Sequence, residues 1–237
     1  MSSDHHSSVS RIQHDFFLCM KYHFVNLVLD LHFAFLLKLG LRTHPMTCPH
    51  SGWMQHRVET ARLLLRPLQQ TDILEIHQAA SNRDIADTMI SVPHPYPEDE
   101  AQKFVEMQQD LMQKCKSLTF AIIDREGGRF AGIVSIRDVE EEHAVAELSF
   151  WVATEGQGKG YMSEALPGVL DLAFGHLGLN RIYAYHMARN IASARVLEKC
   201  GLMQEGFLRQ RVKKWGKYED VVIRAMLKED WLNASPK

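Results

Sequence analysis

The chain has 237 residues, enough for one domain with an appendage or for two small domains, since a domain commonly holds roughly 150 residues. Hydrophobic residues make up 46% of the chain and charged residues 24%, which excludes a disordered, collagen-like or coiled-coil protein. Lys and Arg total 27 against 29 Asp and Glu, so no basic excess indicates a nucleic-acid partner. The four cysteines lie far apart without C-x-x-C spacing, which predicts no metal site and fits a reducing, cytoplasmic location.

The composition changes near residue 58. Eight of the 13 histidines lie in the first 58 residues. That segment holds five Lys and Arg and three Asp, a net charge of +2. Because the whole chain has a net charge of −2, residues 59–237 have a net charge of −4. We therefore divide the chain into an N-terminal extension, 1–58, and a domain, 59–237.

Residues 16–41 of the extension are mostly apolar and, at ~1.5 Å per residue, long enough as a helix to cross a bilayer. A charge such as Asp30 at the centre of a bilayer costs about 2.5 to 3.5 kcal/mol, which favours an amphipathic helix over a membrane span. Four polar residues share one helical face: His23, Asn26, Asp30 and Lys38. Two hypotheses stay open: residues 16–41 associate with a membrane, or residues 1–53 are not a native functional segment and translation begins at Met46 or Met54.

From residue 58 onward the sequence alternates between strand and helix patterns. Asp72 and Glu75 form a capping-box pattern at the first helix, and Gly201 is placed to end the last one. The predicted strands cover 60–67, 118–122, 130–137, 145–154, 181–186, 206–212 and 218–227. The predicted helices cover 72–80, 98–114, 161 to about 176, and 191–199. This order indicates a mixed α/β domain.

A glycine-rich turn, residues 155–161 (EGQGKGY), joins the strand 145–154 to the next helix. Three glycines in five positions let the backbone approach a ligand closely, and exposed N–H groups at a helix start favour an anion such as a pyrophosphate. The turn is not a Walker loop, since no G-K-[ST] follows, and its third glycine arrives one residue early for G-x-G-x-x-G. A purely structural turn stays open, because glycine serves any tight turn.

The GNAT superfamily of acyl-CoA-dependent N-acetyltransferases is the family that this chain resembles, in three ordered segments: ETARLLLRPL, AELSFWVATEGQGKGYMSEAL and NIASARVLEKCGLMQEG. Within it, the chain is most similar to the bacterial ribosomal-protein N-terminal acetyltransferases, over about residues 59–231. The resemblance implies a twisted, mostly antiparallel sheet with a splayed, parallel central strand pair, flanked by helices. It also implies transfer of an acetyl group from acetyl-CoA to a primary amine by direct attack, in a monomer or homodimer and without a metal.

The resemblance also implies where acetyl-CoA binds. The pantetheine arm is expected along the strand at Trp151, Val152 and Thr154, and Asn190 and Ser193 are expected at its thiol end. The pyrophosphate is expected on the backbone amides of Gln157, Gly158, Lys159, Gly160 and Tyr161. Glu155 stands where the superfamily usually has Gln or Arg, so no side-chain contact is expected there. Asn190 as a plain helix cap and Ser193 as an ordinary first-turn residue stay open as alternatives.

Three residues carry the predicted chemistry. Glu147 is the sole acid in the apolar strand 145–152, so its carboxylate must be hydrogen-bonded or face a substrate cleft. We predict that Glu147 accepts the amine proton through water, as Glu is thought to do at this position in the branch; an ion pair with Arg137 is the alternative. The Val152 N–H is expected to bind the thioester oxygen. Leu197 replaces the Tyr that protonates the thiolate in many members, so Ser193, one helical turn earlier, is the candidate.

Two other functions stay open. Leu197 and Glu155 favour a non-catalytic acyl-CoA-binding module, and the segment 16–41 allows a membrane-associated protein. The acceptor could be a protein N-terminus, such as that of a ribosomal protein, or a small molecule such as a polyamine, an aminoglycoside or an amino-acid derivative. The charge of −4 in residues 59–237 favours a cationic acceptor.

Overall fold

The computed structural model describes residues 53–234. The predicted amphipathic helix at 16–41 therefore lies outside the described residues. Residues 53–234 belong to one compact unit, His50–Lys237. Within residues 53–234 no helix combines the length and the apolar character that a membrane span requires.

Eight strands and six helices form the described part of the chain. The strands are β1 Val58–Glu59, β2 Leu63–Pro67, β3 Leu118–Asp124, β4 Arg129–Glu140, β5 Val145–Val152, β6 Arg181–Met187, β7 Met203–Lys214 and β8 Lys217–Leu227. The helices are α1 Ile73–Ala80, α2 Arg83–Thr88, α3 Glu100–Gln113, α4 Tyr161–Asp171, α5 Ile191–Lys199 and α6 Lys228–Ala234. A π-helical turn, Leu172–His176, continues α4.

The strands form one sheet in the order β1-β2-β3-β4-β5-β6-β8-β7. Every neighbouring pair is antiparallel except β5 and β6, which are parallel. The parallel pairing ends at Glu147 and Tyr183, after which the two strands separate. The predicted mixed α/β fold with a splayed parallel pair at its centre is therefore confirmed.

Helices cover both faces of the sheet near this separation. On one face, α1 and α3 pack on β3 and β4 in a core cluster that contains Ile76, Val105 and Ile133, and Trp151 of β5 packs against it. Successive side chains of a strand point to opposite faces. Ala146 and Leu148 therefore point to the other face, where they are almost completely buried and where α4 packs on β5.

The structure differs from the sequence prediction in several local features. The carboxylate of Asp72 accepts the N–H of Gln69 (2.8 Å) and pairs with Arg66 (2.7 Å), so it does not cap α1. Strand β4 is also longer than predicted, because it continues beyond residue 137 through Glu140. The short helices α2 and α6 had no strong periodic pattern and were not predicted.

Candidate active site

The separation of β5 from β6 leaves main-chain groups of β5 without a neighbouring strand. The Ala153 N–H donates to the Ala131 carbonyl of β4 at 2.8 Å. Because N–H groups alternate in direction along a strand, the Val152 N–H points away from β4 and into the gap. The amide predicted to bind the thioester oxygen is therefore oriented toward the gap. The main chain of Trp151 points toward β4, where its partner in the register is Ile133. The centroid of its ring lies 5.8 Å from that of the Phe130 ring.

A cavity of about 250 Å³ occupies the gap. It brings together three of the predicted residues, Glu147, Asn190 and Ser193, although they come from β5 and α5. Leu197, also predicted to lie on this face of α5, lines the same cavity. The remaining lining includes four residues that the sequence analysis did not place there: Arg137, Tyr185, His186 and Arg211.

A second cavity, of about 230 Å³, lies on the side of α1 and α3. Its lining includes Tyr96, Glu100, Phe104 and Trp151. Burial raises the pKa of Tyr96 to about 12, with the negative charge of Glu100 adding to the effect. The two cavities adjoin, because both are lined by Met89, Ser91, Arg137, Ser149 and Phe150. The cavity in the gap and the second cavity therefore approach the same part of β5, residues 149–150, from different sides.

Glu147 is paired with Arg137 on the neighbouring strand. The two residues are direct cross-strand partners, and Arg137 Nη2 lies 3.1 Å from Glu147 Oε1 and 3.2 Å from Oε2. The Glu147 side chain is only 12% exposed. Burial raises the pKa of the Glu147 carboxyl above its ordinary value, although the charge and hydrogen bond of Arg137 oppose this rise. The structure thus contains the predicted ion pair and also places the carboxylate at the cavity.

Asn190 and Ser193 meet at the start of α5. The Asn190 Oδ1 atom accepts the Ser193 N–H at 3.0 Å, which is the helix cap expected from the sequence. The Ser193 hydroxyl has no hydrogen-bond partner among residues 53–234. Asn190 is therefore a cap that also lines the cavity, and the Ser193 hydroxyl remains available to a ligand.

The glycine turn begins α4, as predicted. Gly158 and Gly160 have φ angles of 74° and 76°, in the region that favours glycine, and both residues are exposed. Within the described part of the chain, their N–H groups have no hydrogen-bond partner. The first N–H groups of α4 also lack partners within the helix. The turn therefore presents donors to solvent at a helix N-terminus, where an anion is favoured.

Other predicted cofactor residues lie around this turn. The Gln157 Nε2 atom donates to the Val152 carbonyl at 3.4 Å, and the Lys159 Nζ atom lies 5.8 Å from the centroid of the Tyr161 ring. The Thr154 hydroxyl accepts from Asn82 Nδ2 at 2.9 Å, away from the cavity in the gap. The predicted cofactor residues thus fall into two groups, one at the turn and one at the gap.

His186 is one of the four residues of this site that the sequence analysis did not place there. It is 5% exposed and lines the cavity in the gap. His186, Ile182 and Ala184 occupy every second position of β6 and therefore point to the same face of the sheet. Ile182 and Ala184 are fully buried there. A titratable residue on the buried face of a strand is the same signal that identified Glu147, so this signal was present in the sequence. No group of three or more His, Cys, Asp or Glu side chains within residues 53–234 is arranged to hold a metal ion.

Comparison with known proteins identifies the family. The acetyltransferase (GNAT) domain profile matches residues 62–203. A probable N-acetyltransferase of Bacillus subtilis, YjcK, is 34% identical over 172 residues, which are 71% of this chain and 95% of that protein. The chain therefore belongs to the GNAT acetyltransferase domain family.

Solved structures agree with this assignment. The spermidine N-acetyltransferase of Vibrio cholerae, in complex with CoA and spermine, is 27% identical, with a TM-score of 0.66 over 73% of this chain and all of that one. RimL, a ribosomal L7/L12 alpha-N-protein acetyltransferase in complex with coenzyme A, is 20% identical, with a TM-score of 0.69 over 74% of this chain and 99% of that one, and it supports the fold alone. The predicted superfamily and the predicted class of enzyme, an N-acetyltransferase, are confirmed. A non-catalytic binding module is not favoured.

Proposed function

We propose that this protein transfers the acetyl group of acetyl-CoA to a primary amine in the gap between β5 and β6. The observation that carries the proposal is that two cavities adjoin at Arg137, Ser149 and Phe150, beside the point where the strands separate. Two substrates that react directly must approach one point from different sides. In this arrangement the acetyl donor occupies the gap and the amine enters from the side of α1 and α3.

The donor side is supported by the backbone of the turn and of β5. The exposed amides at Gly158 and Gly160, with the start of α4, suit the pyrophosphate. The pantetheine arm would follow residues 151–154, where the main chain of Val152 faces the gap. Asn190 and Ser193 would then lie near the thioester.

The chemistry uses groups that line the gap. Glu147 accepts a proton from the amine through water, and its raised pKa makes it a stronger base than an exposed carboxylate. The nitrogen then attacks the carbonyl carbon, and the Val152 N–H stabilises the negative charge on the carbonyl oxygen. The Ser193 hydroxyl lies on the side of the departing sulfur. No covalent enzyme intermediate is required.

The acceptor side favours a cationic amine. Glu100 supplies a negative charge in the second cavity, and Tyr96, Phe104 and Trp151 supply aromatic surface on which a cation and its hydrocarbon stem can bind. The solved relative with bound spermine is named as a spermidine N-acetyltransferase. A polyamine is therefore a candidate acceptor, and the protein N-terminus expected from the sequence stays the other.

An assay of thiol release from acetyl-CoA tests this proposal. The purified full chain is supplied with a panel of polyamines, aminoglycosides, amino-acid amides and peptides with free N-termini. We expect amine-dependent release of CoA for at least one class, with the acetylated product identified by mass spectrometry. Tight binding of acetyl-CoA without turnover on any amine would contradict catalysis and would indicate a binding module.

A further inference from the structure

The His186 imidazole is held in one tautomer. Its Nδ1 atom lies 3.0 Å from the Met187 carbonyl oxygen. A carbonyl oxygen can only accept a hydrogen bond, so Nδ1 carries a proton in this contact. In a neutral imidazole the other nitrogen, Nε2, is then an unprotonated acceptor.

The Nε2 atom of His186 is buried and has no hydrogen-bond partner among the described residues. A buried polar atom without a partner is unfavourable and calls for an explanation such as a ligand or a catalytic role. His186 lines the same cavity as Glu147 and Ser193. His186 therefore brings an unused proton acceptor to the place where the thioester is expected.

The proposed reaction needs such a group, because it moves two protons. A protonated primary amine loses one proton before its nitrogen can attack. The nitrogen loses a second proton as the C–N bond forms, and the sulfur gains a proton as the C–S bond breaks. Glu147 can take the first proton and release it to solvent, and the second proton then has to travel from nitrogen to sulfur.

The two residues expected near the sulfur, Leu197 and Ser193, cannot carry that second proton unaided. Leu197 has no ionisable group, and the Ser193 hydroxyl can donate its proton only if it accepts another proton at the same time. We propose that His186 is a further catalytic residue, whose Nε2 accepts the second amine proton and returns it to the departing thiolate sulfur. This inference rests on the proposed acetyl transfer.

The charges around His186 keep its neutral form available. Burial lowers the pKa of the imidazole, the hydrogen bond to Met187 opposes this, and the positive charge of Arg224 on β8 lowers the pKa further. The other charged groups that line the cavity are Arg137 on β4, Glu147 on β5 and Arg211 on β7. An imidazole that is neutral at pH 7 accepts a proton readily and, once charged, readily gives it up.

The substitution His186→Asn tests the proposal. The shorter amide can keep the donor to the Met187 carbonyl, but it has no group at the position of Nε2. We expect kcat on the best acceptor to fall by about 10², while the dissociation constant of acetyl-CoA changes by less than twofold. In the dependence of kcat on pH, the acidic limb, which is the fall in kcat at low pH that reports the His186 pKa, should disappear. His176→Asn is the control, because His176 is exposed and lines neither of the two cavities described above.

Circular dichroism and calorimetric binding of acetyl-CoA check that the variant is folded, and His186→Gln takes its place if it is not. The inference is overturned if the folded variant keeps more than a third of the wild-type kcat, or if the acidic limb is unchanged. Its failure differs from failure of the proposed function. In the first case the wild type still acetylates an amine, and in the second case the wild type acetylates none.

Discussion

Arg137 and Glu147 face each other across β4 and β5, with Arg137 Nη2 3.1 Å from Glu147 Oε1. Arg137 lines both adjoining cavities, whereas Glu147 lines the one in the gap. An amine that enters from the second cavity must therefore pass the guanidinium before it reaches the carboxylate. The pair is positioned to act on the acceptor as well as to stabilise the two strands.

If Glu147 is the base, Glu147→Gln should lower kcat by about 10² to 10⁴ and leave acetyl-CoA affinity almost unchanged. The amide keeps the shape and a hydrogen bond to Arg137 but cannot accept the proton. Steady-state kinetics measure kcat, and Glu140→Gln, an exposed carboxylate on β4, is the control. Retention of more than half of the wild-type kcat would show that the carboxylate is structural.

Removal of the guanidinium should change the titration of Glu147. Arg137 is the main group that opposes the rise of the Glu147 pKa, so Arg137→Gln should raise this pKa further. An acid whose pKa is raised by folding destabilises the native state once it ionises, and a tenfold change in its acidity constant corresponds to about 1.4 kcal/mol. The substitution should therefore lower the free energy of unfolding, measured with urea, more at pH 7 than at pH 4. An equal loss at both pH values would contradict the coupling between Arg137 and the titration of Glu147.

Ser193→Ala should have a mild effect. We expect kcat to fall by less than tenfold, because a water molecule can occupy the place of the hydroxyl and Asn190 still caps α5 through the Ser193 backbone N–H. The comparison with His186→Asn under the same conditions ranks the two groups. A loss as large as that of Glu147→Gln would instead make Ser193 a principal proton donor.

A side chain added to the glycine turn should weaken the binding of acetyl-CoA. Gly160→Val should raise the dissociation constant of acetyl-CoA at least tenfold, about 1.4 kcal/mol, because valine disfavours a φ of 76° and its branches would occupy the anion site. Gly178→Val is a matched control, since Gly178 has a φ of 69° and an added Cβ there meets nothing within 4 Å. Calorimetry should show weakened binding for the first variant alone. Equal affinity in the two folded variants would remove the turn from the cofactor site.

The start of the domain can be tested with shortened chains. Trp53 is 3% exposed and belongs to a short turn, Trp53–Gln55, that contacts α3. A chain that begins at His50 should bind acetyl-CoA as the full chain does. A chain that begins at Met54 lacks this indole and should lose about 3 kcal/mol of unfolding free energy. Aggregation of the His50 chain, with the full chain well behaved, would show that residues 1–49 pack on the domain.

The features that the sequence predicted well are local. The helix α5 matches its predicted bounds, Ile191–Lys199, because Asn190 caps its start and Gly201, with a φ of 89°, follows its end. The glycine turn likewise lies where the pattern of glycines predicted it. These features depend on backbone angles and hydrogen bonds within a few residues, which the sequence specifies directly.

Long-range pairing decided the rest of the site. The contact of Glu147 with Arg137 depends on the register of β4 and β5, and the exposure of the Val152 amide depends on where β5 leaves β6. Lys214, at the end of β7, donates to the carbonyls of Met89 and Val92 at 2.8 and 2.6 Å and so holds a segment that lines the cavities. The residues of this last contact are more than 120 positions apart in the chain. No local pattern encodes such pairs, because each forms only when the packing of the whole sheet and its helices brings them together.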